Sequence, residues 1–84
     1  MTNKILRFTA SWCEPCKALS KTIDRIDTEV PIQVIDIDDQ PELAQHFNIR
    51  SVPTLVKIDQ DKKEVERLVG MQNQSPLDKF INSL

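Results

Sequence analysis

Apolar residues along the chain follow two different spacings, one typical of strands and the other of helices. Four segments carry short apolar runs or alternation bounded by turn residues, which predicts β-strands: residues 4–10, 32–37, 54–58 and 64–69. Three segments repeat apolar residues every three or four positions, which predicts helices: residues 14–28, about 40–47 and the segment from Ser75 to Leu84. The charges of the last predicted strand suit an exposed edge. The order β-α-β, then α, then β-β-α indicates an α/β domain.

Each predicted helix places its apolar residues on one face, and polar residues mark where two of the helices begin. The apolar faces comprise Cys16, Leu19, Ile23 and Ile26, then Leu43 and Phe47, and finally Leu77, Phe80, Ile81 and Leu84. Asp39 and Glu42 have the spacing of a capping box ahead of the second helix. The last helix is expected to begin with Ser75 as N-cap, Pro76 at the first position and Asp78 at the third.

The two cysteines of the chain, Cys13 and Cys16, lie where the first strand ends and the first helix begins. A pair spaced i, i+3 in the first turn lies on one side of a helix, so the two sulfurs can come close enough to bond. A helix N-terminus also carries partial positive charge and unpaired N–H groups, which favour a thiolate. The apolar stripe points Cys16 inward and leaves Cys13 able to face solvent. We interpret the pair as a redox-active dithiol.

Two other interpretations of the cysteine pair are weaker. A structural disulfide would close a very short loop and therefore stabilise little. A zinc site commonly needs four ligands, and the chain offers one cysteine pair and the single histidine His46, so no metal site is expected. His46 lies on the predicted second helix next to Phe47 and is expected at the surface.

Composition sets limits on the class of protein. The 84 residues suit one domain, 1–84, with a small core. A net charge of −2, from 11 basic and 13 acidic side chains, gives no electrostatic footprint for nucleic acid or an anionic membrane. No apolar run has transmembrane length and no signal-peptide pattern is present, so we expect a protein of the reducing cytoplasm. We also expect a monomer.

Three motifs in order resemble the thioredoxin family. The hexapeptide Trp12–Lys17, Trp-Cys-Glu-Pro-Cys-Lys, follows an apolar strand; the segment 48–55 resembles the family segment that carries a cis-proline; and Val69-Gly70 precedes the last helix. The resemblance covers Ile5 to Leu84 and implies a thioredoxin-like fold, a four-stranded mixed sheet flanked by three helices. The chain lacks the strand and helix that precede the motif strand in full-length thioredoxins, and it is closer to glutaredoxins in size.

The resemblance implies different roles for the residues of the hexapeptide. Cys13 is expected to attack a substrate disulfide, and Cys16 to resolve the mixed disulfide. Lys17 adds positive charge that favours the thiolate, whereas Glu14 opposes it, so both residues are expected to tune the cysteine pKa. Pro15 fixes the backbone where the helix begins and has no N–H to donate.

The resemblance also implies a substrate groove around the cysteines. The Val52–Pro53 bond is expected to be cis, which leaves the backbone of Val52 free to pair with an extended substrate strand. Without the resemblance, Pro53 would be interpreted as an ordinary proline at the start of a strand. Trp12, Gly70 and Met71 are expected to complete an apolar rim, with Gly70 permitting close backbone approach.

Arg7 departs from the family pattern. Six residues before the first cysteine, thioredoxins usually have a buried aspartate that helps to move the proton of the second cysteine, and Val34 replaces a lysine that is often found on the neighbouring strand. Arg7 is therefore expected to tune the site, either alone or paired with Asp36, unless its charged group simply reaches solvent. Cys16 must then rely on another base or on solvent.

The predicted function is thiol–disulfide oxidoreduction on protein disulfides, with electrons from a thioredoxin reductase. No cofactor beyond the redox-active disulfide is expected, and neither nucleic acid nor membrane is an expected partner. Two alternatives stay open: a glutaredoxin-like protein recharged by glutathione, and a binding or accessory module that uses the same fold without turnover. Chain size favours the first alternative, whereas the hexapeptide and the lack of a Gly-Gly pair after the fourth strand argue against it.

Overall fold

Seven helices and strands follow one another in the predicted order. The computed structural model describes residues 3–83. Its elements are β1 Lys4–Thr9, α1 Glu14–Ile23, β2 Ile32–Asp36, α2 Pro41–His46, β3 Thr54–Ile58, β4 Glu64–Val69 and α3 Gln74–Asn82. Within residues 3–83, none of the three helices is long and apolar enough to cross a membrane.

The strands form a mixed sheet in the order β2-β1-β3-β4. β1 pairs in parallel with β2, with Arg7 opposite Val34 and Thr9 opposite Asp36. β3 runs antiparallel to both β1 and β4. β4 is thus an edge strand, as its charges predict, and Glu66 on it is exposed. The predicted α/β fold with a four-stranded mixed sheet and three helices is confirmed.

Both faces of the sheet are covered, and the helices supply the apolar faces that the periodicity predicts. On the face covered by α1 and α3, the buried residues are Ile5, Leu19, Ile26, Leu55, Leu77, Phe80 and Ile81. On the face covered by α2, they are Leu6, Phe8, Ile35, Phe47, Val56 and Ile58. Ile23 and Leu43 pack against these clusters as partly buried residues, and Leu84 lies outside the described residues.

The helix ends differ from the sequence-based expectations. α1 ends at Ile23, five residues early, because a turn follows in which the Ile26 N–H donates to Ile23 O; Ile26 still reaches the core. Asp39 does not cap α2, since its N–H donates to Asp36 O in the turn after β2, and Gln40 takes the cap position. α3 begins before Ser75, with Asn73 as the cap residue, because the Leu77 N–H already donates to Asn73 O.

One charged residue is buried in β3. The side chain of Lys57 is 2% exposed, and its Nζ donates to Ser83 Oγ at 2.7 Å and to Glu66 Oε1 at 3.3 Å. The same nitrogen lies 4.3 Å from the centre of the Phe80 ring. Lys57 therefore ties the end of α3 to the two antiparallel strands, with its charge paired rather than isolated.

Candidate functional site

Cys13 and Cys16 form a disulfide at the junction of β1 and α1. Their Cα atoms are 5.2 Å apart, within the range that a disulfide spans. Cys13 is the N-cap of α1, with extended backbone angles (φ −94°, ψ 106°), and its Sγ accepts the Cys16 N–H at 3.1 Å. The first cysteine sulfur thus occupies the place of a capping oxygen, where an unpaired helix N–H favours negative charge.

Neither cysteine faces solvent in the disulfide form. Cys13 is 4% exposed and Cys16 1% exposed, so the expectation that Cys13 is open to solvent is wrong for this state. The physical reason is the packing around the pair, since Ala10, Ile37 and Val52 enclose the two sulfurs. Cys16 does point inward, as the stripe predicts.

The segment around Pro53 lies directly against the first cysteine. The Val52–Pro53 peptide bond is cis, as the resemblance implies. Val52 O lies 3.7 Å from Cys13 Sγ. Pro53 is buried, and its carbonyl oxygen accepts the Gly70 N–H at 2.9 Å. Residues distant in sequence are therefore brought to one place beside the disulfide.

Gly70 has a backbone conformation that favours glycine. Its φ is +88°, a backbone conformation that L side chains rarely adopt. A Cβ built on Gly70 would meet nothing within 4 Å, so no close approach within the chain calls for a glycine. The residue allows the chain to turn after β4 with its N–H aimed at Pro53.

Exposed apolar side chains flank this segment. Trp12 is 64% exposed, Val69 51% and Met71 45%, which are high values for large apolar residues. We call Trp12, Val52, Val69, Gly70 and Met71 the apolar rim. Four of these residues are predicted from the sequence as rim residues; Val69 is not, although its place before Gly70 is a usable signal.

Asp38 is a second residue that sequence analysis missed. The Trp12 indole Nε1–H donates to Asp38 Oδ2 at 3.0 Å and holds the ring in place. β1 and β2 are parallel, so the segments after their carboxyl ends lie at the same edge of the sheet. The acidic residues that follow β2, Asp38 and Asp39, therefore lie near the residues that follow β1.

The two charges of the hexapeptide pair with each other. Lys17 Nζ lies 3.1 Å from Glu14 Oε1, and the side chains are 57% and 82% exposed. Pro15 lies in the first turn of α1, where no N–H is needed. The opposite charges are close together and in water, where charges are strongly screened.

Arg7 lies on the sheet face that α1 covers, and its side chain is half-buried. Burial lowers the pKa of Arg7, and the nearby carboxylate of Asp24 partly opposes that shift. Within residues 3–83, the Arg7 guanidinium makes no ion pair within 4 Å, so the alternative pair with Asp36 is not formed. Over the same residues, no group of three or more His, Cys, Asp or Glu side chains is placed to hold a metal ion.

Comparison with known proteins agrees with this geometry. The family model described as "Thioredoxin" matches residues 2–83. A thioredoxin from Chlamydia trachomatis is 38% identical over 81 residues, covering 93% of this chain and 78% of that protein. A thioredoxin from Chlamydia muridarum is 40% identical with the same coverage.

Solved structures give the same answer. A point mutant of a thioredoxin from Halobacterium salinarum superposes with a TM-score of 0.84 at 34% identity, covering 94% of this chain and 71% of that one. The thioredoxin of Malassezia sympodialis superposes with a TM-score of 0.83 at 31% identity, covering 95% and 74%. The chain belongs to the thioredoxin family and is a thioredoxin-type protein-disulfide oxidoreductase whose redox-active disulfide joins Cys13 and Cys16.

Proposed function

We propose that the chain works as a single-domain, monomeric reductant of protein disulfides, recharged by a thioredoxin reductase in a reducing compartment such as the cytoplasm. The observation that carries the proposal is the position of the disulfide beside the apolar rim, with the backbone of Val52 next to Cys13. An apolar rim of this kind suits a protein surface rather than a small charged molecule.

In the reduced form, Cys13 attacks first. Its sulfur sits at the helix cap, where the Cys16 N–H points at it and stabilises the thiolate. The thiolate attacks one sulfur of the substrate disulfide, forms a mixed disulfide and releases the other substrate sulfur as a thiolate. The Cys16 thiolate then attacks Cys13, which releases the second substrate sulfur and forms the Cys13–Cys16 disulfide. Two electrons thus pass to the substrate and return from the reductase.

The backbone of Val52 is the proposed docking point for an extended substrate segment. Among residues 3–83, its N–H has no hydrogen-bond partner, and its carbonyl oxygen faces the reactive sulfur. A substrate strand that pairs with Val52 would present its own disulfide to Cys13, in the manner of strand addition. Trp12, Gly70 and Met71 would then cover the substrate side chains that flank the bond.

Insulin-disulfide reduction tests the proposal and separates it from the glutathione alternative. We expect turnover with NADPH and thioredoxin reductase, and at least roughly tenfold slower turnover with glutathione, NADPH and glutathione reductase. Faster turnover with glutathione would overturn the choice of electron donor. No reduction of insulin with either system, together with no acceleration of insulin reduction over dithiothreitol alone, would contradict the proposed function itself.

The accessory-module alternative predicts a different outcome for a double variant. A module that only binds would keep its partner after Cys13→Ser and Cys16→Ser are combined, and the partner's activity would be unchanged. The proposed function predicts instead that this variant loses all disulfide reduction while it keeps its fold, as circular dichroism would check.

A further inference from the structure

An open groove with both polar and apolar walls lies beside Cys16, on the sheet face that α1 covers. It has a volume of about 240 Å³, and its walls include Cys16 and Ser20 from α1, Arg7 and Thr9 from β1, and Asp36 from β2. We call this space the rear cavity. A water molecule in the liquid occupies about 30 Å³, so the cavity has room for several, and its hydroxyl, carboxylate and guanidinium groups suit them. Cys16 therefore adjoins a space that Cys13 does not line.

Cys16 must become a thiolate, and no residue of the apolar rim carries a charge that would stabilise it. It is 1% exposed, and burial raises the pKa of a thiol because it disfavours the thiolate. Its backbone N–H is directed at Cys13 Sγ, so the helix cap stabilises the first sulfur. Yet Cys16 must become a thiolate before it can resolve the mixed disulfide. A positive charge on its own side would favour that thiolate.

The rear cavity offers one strong candidate. Arg7 carries a permanent positive charge and lines the same cavity as Cys16. Its guanidinium is half-buried and makes no ion pair within 4 Å in the described part of the chain. A charge that is neither neutralised by contact nor fully hydrated acts over several ångströms with less screening than a surface charge.

The other charged groups near Cys16 are already paired, carry negative charge or act on Arg7. Lys17 from α1 lines the cavity but pairs with an exposed carboxylate. Asp36 from β2 disfavours a thiolate, and its Oδ1 accepts the Asp38 N–H at 2.8 Å. Asp24, beyond the end of α1, acts on Arg7. No residue of β3 or α3 among those described lines the cavity.

We propose that Arg7 activates the resolving cysteine, its guanidinium stabilising the Cys16 thiolate across the rear cavity. The inference rests on the proposed function, in which Cys16 resolves the mixed disulfide. In this step the Cys16 thiol gives its proton to water in the cavity, and the resulting thiolate attacks Cys13 Sγ. The bond from Cys13 to the substrate sulfur breaks, that sulfur leaves as a thiolate, and it takes up a proton from solvent. Arg7 holds its own protons throughout.

A carboxylate acting as base is the competing explanation, and the chemistry favours the arginine. Carboxylates ordinarily titrate near pH ~4 and thiols near ~8.5, so a carboxylate takes a thiol proton against roughly four pKa units. A nearby positive charge instead lowers the thiol pKa directly. The two explanations predict opposite results when Asp36 loses its charge.

Ellman's reagent, an aromatic disulfide, separates the two chemical steps in one stopped-flow trace. The reduced protein releases a first aromatic thiolate when one cysteine attacks, at a rate that depends on reagent concentration. It releases a second when the other cysteine resolves the mixed disulfide, at a rate that does not. The pH midpoint of the second phase reports the pKa of the resolving thiol.

Arg7→Gln is expected to move that midpoint up by roughly one unit and to slow the second phase at pH 7 by up to about tenfold. Arg7→Lys should restore most of the rate, since it keeps the charge. Arg25→Gln is the matched control: it removes an exposed arginine outside the cavity and should shift nothing. Equal midpoints for Arg7→Gln and Arg25→Gln would overturn the proposal.

Asp36→Asn tests the choice between Arg7 and Asp36 as the activating group even if Arg7→Gln does not fold. The asparagine retains an oxygen for the Asp38 N–H, and loss of the carboxylate charge should lower the midpoint or leave it unchanged. An upward shift would assign the step to Asp36 as base and overturn the proposal. Cys16→Ser should release only the first thiolate, and failure there would count against the cysteine order rather than against Arg7.

Discussion

The two cysteines of one disulfide border different surroundings. Beside Cys13 lie the apolar rim and the backbone of Val52, and the large side chain of Trp12 is 64% exposed. Behind Cys16 lies the rear cavity, with Arg7 and Asp36 in its walls. One turn of α1 produces this contrast, because Cys13 caps the helix whereas Cys16 points back at the sheet. The geometry thus separates docking and attack from the later activation of the resolving thiol.

The largest expected effect comes from removing each of the two sulfurs in turn. Cys13→Ser should abolish reaction with disulfides, because no thiolate remains at the helix cap. Cys16→Ser should react once and stay trapped as a mixed disulfide with its substrate, which mass spectrometry of the non-reduced protein would detect. Equal alkylation rates for the two thiols of the reduced wild type at pH 6–7 would remove the contrast between them.

The apolar rim can be tested with two valines of the same strand. Val69 and Val65 lie on β4 and are both 51% exposed, but only Val69 is next to Gly70. Val69→Ser should lower kcat/KM for insulin reduction by about fivefold, which corresponds to losing about 1 kcal/mol of apolar contact. Val65→Ser should have no such effect. Equal losses would mean that the rim does not contact substrate.

The Arg7 charge in the rear cavity should change the reduction potential of the Cys13–Cys16 pair. A positive charge near the dithiol stabilises its thiolate form, so it stabilises the reduced protein and makes the disulfide more oxidising. Arg7→Gln should therefore move the potential to more negative values, by roughly 30 mV for each pKa unit gained, when the potential is measured at a pH above both thiol pKa values, where the reduced protein is in its thiolate form. Redox titration against glutathione, with Arg25→Gln as control, would measure the shift. A change under about 10 mV would mean that solvent screens the Arg7 charge.

Local signals predicted the front of the site better than the rear. The hexapeptide and the Val52–Pro53 segment are contiguous in sequence, so the disulfide and its cis-proline could be anticipated from short motifs. The Trp12–Asp38 hydrogen bond spans 26 residues and depends on the parallel pairing of β1 with β2, which no local pattern specifies. The rear cavity likewise needs α1, β1 and β2 together.

Periodicity was reliable for the core and weak for helix ends. Apolar spacing identified the buried faces of all three helices because burial of those faces is what holds them to the sheet. The cap position depends on which carbonyl accepts the first N–H groups of the helix. Asp39 does not cap α2 because its N–H donates to Asp36 O in the preceding turn. Lys57 would not be placed in a core by any hydropathy pattern, since its partners come from β4 and the end of α3.

The smallest expected effect concerns the ion pair that flanks the front. Glu14→Gln should lower the pKa of Cys13 and Lys17→Gln should raise it, because the first removes a negative charge and the second a positive one. Both side chains are largely in water and paired at 3.1 Å, so each shift should stay below about half a unit. Rates of iodoacetamide alkylation of the reduced protein at pH 6–8 would measure these shifts.

The double variant and added salt sharpen this last test. Combining Glu14→Gln with Lys17→Gln should return the pKa of Cys13 close to the wild-type value, since the two opposite charges then vanish together. At about 1 M salt the Debye length falls to about 3 Å, so the single-variant differences should nearly disappear. Arg7→Gln, which removes a half-buried charge, should keep more of its effect on the resolving phase at the same salt concentration. A shift above one unit for Glu14→Gln, or one that survives salt, would mean that the front shields charge from water as the rear does.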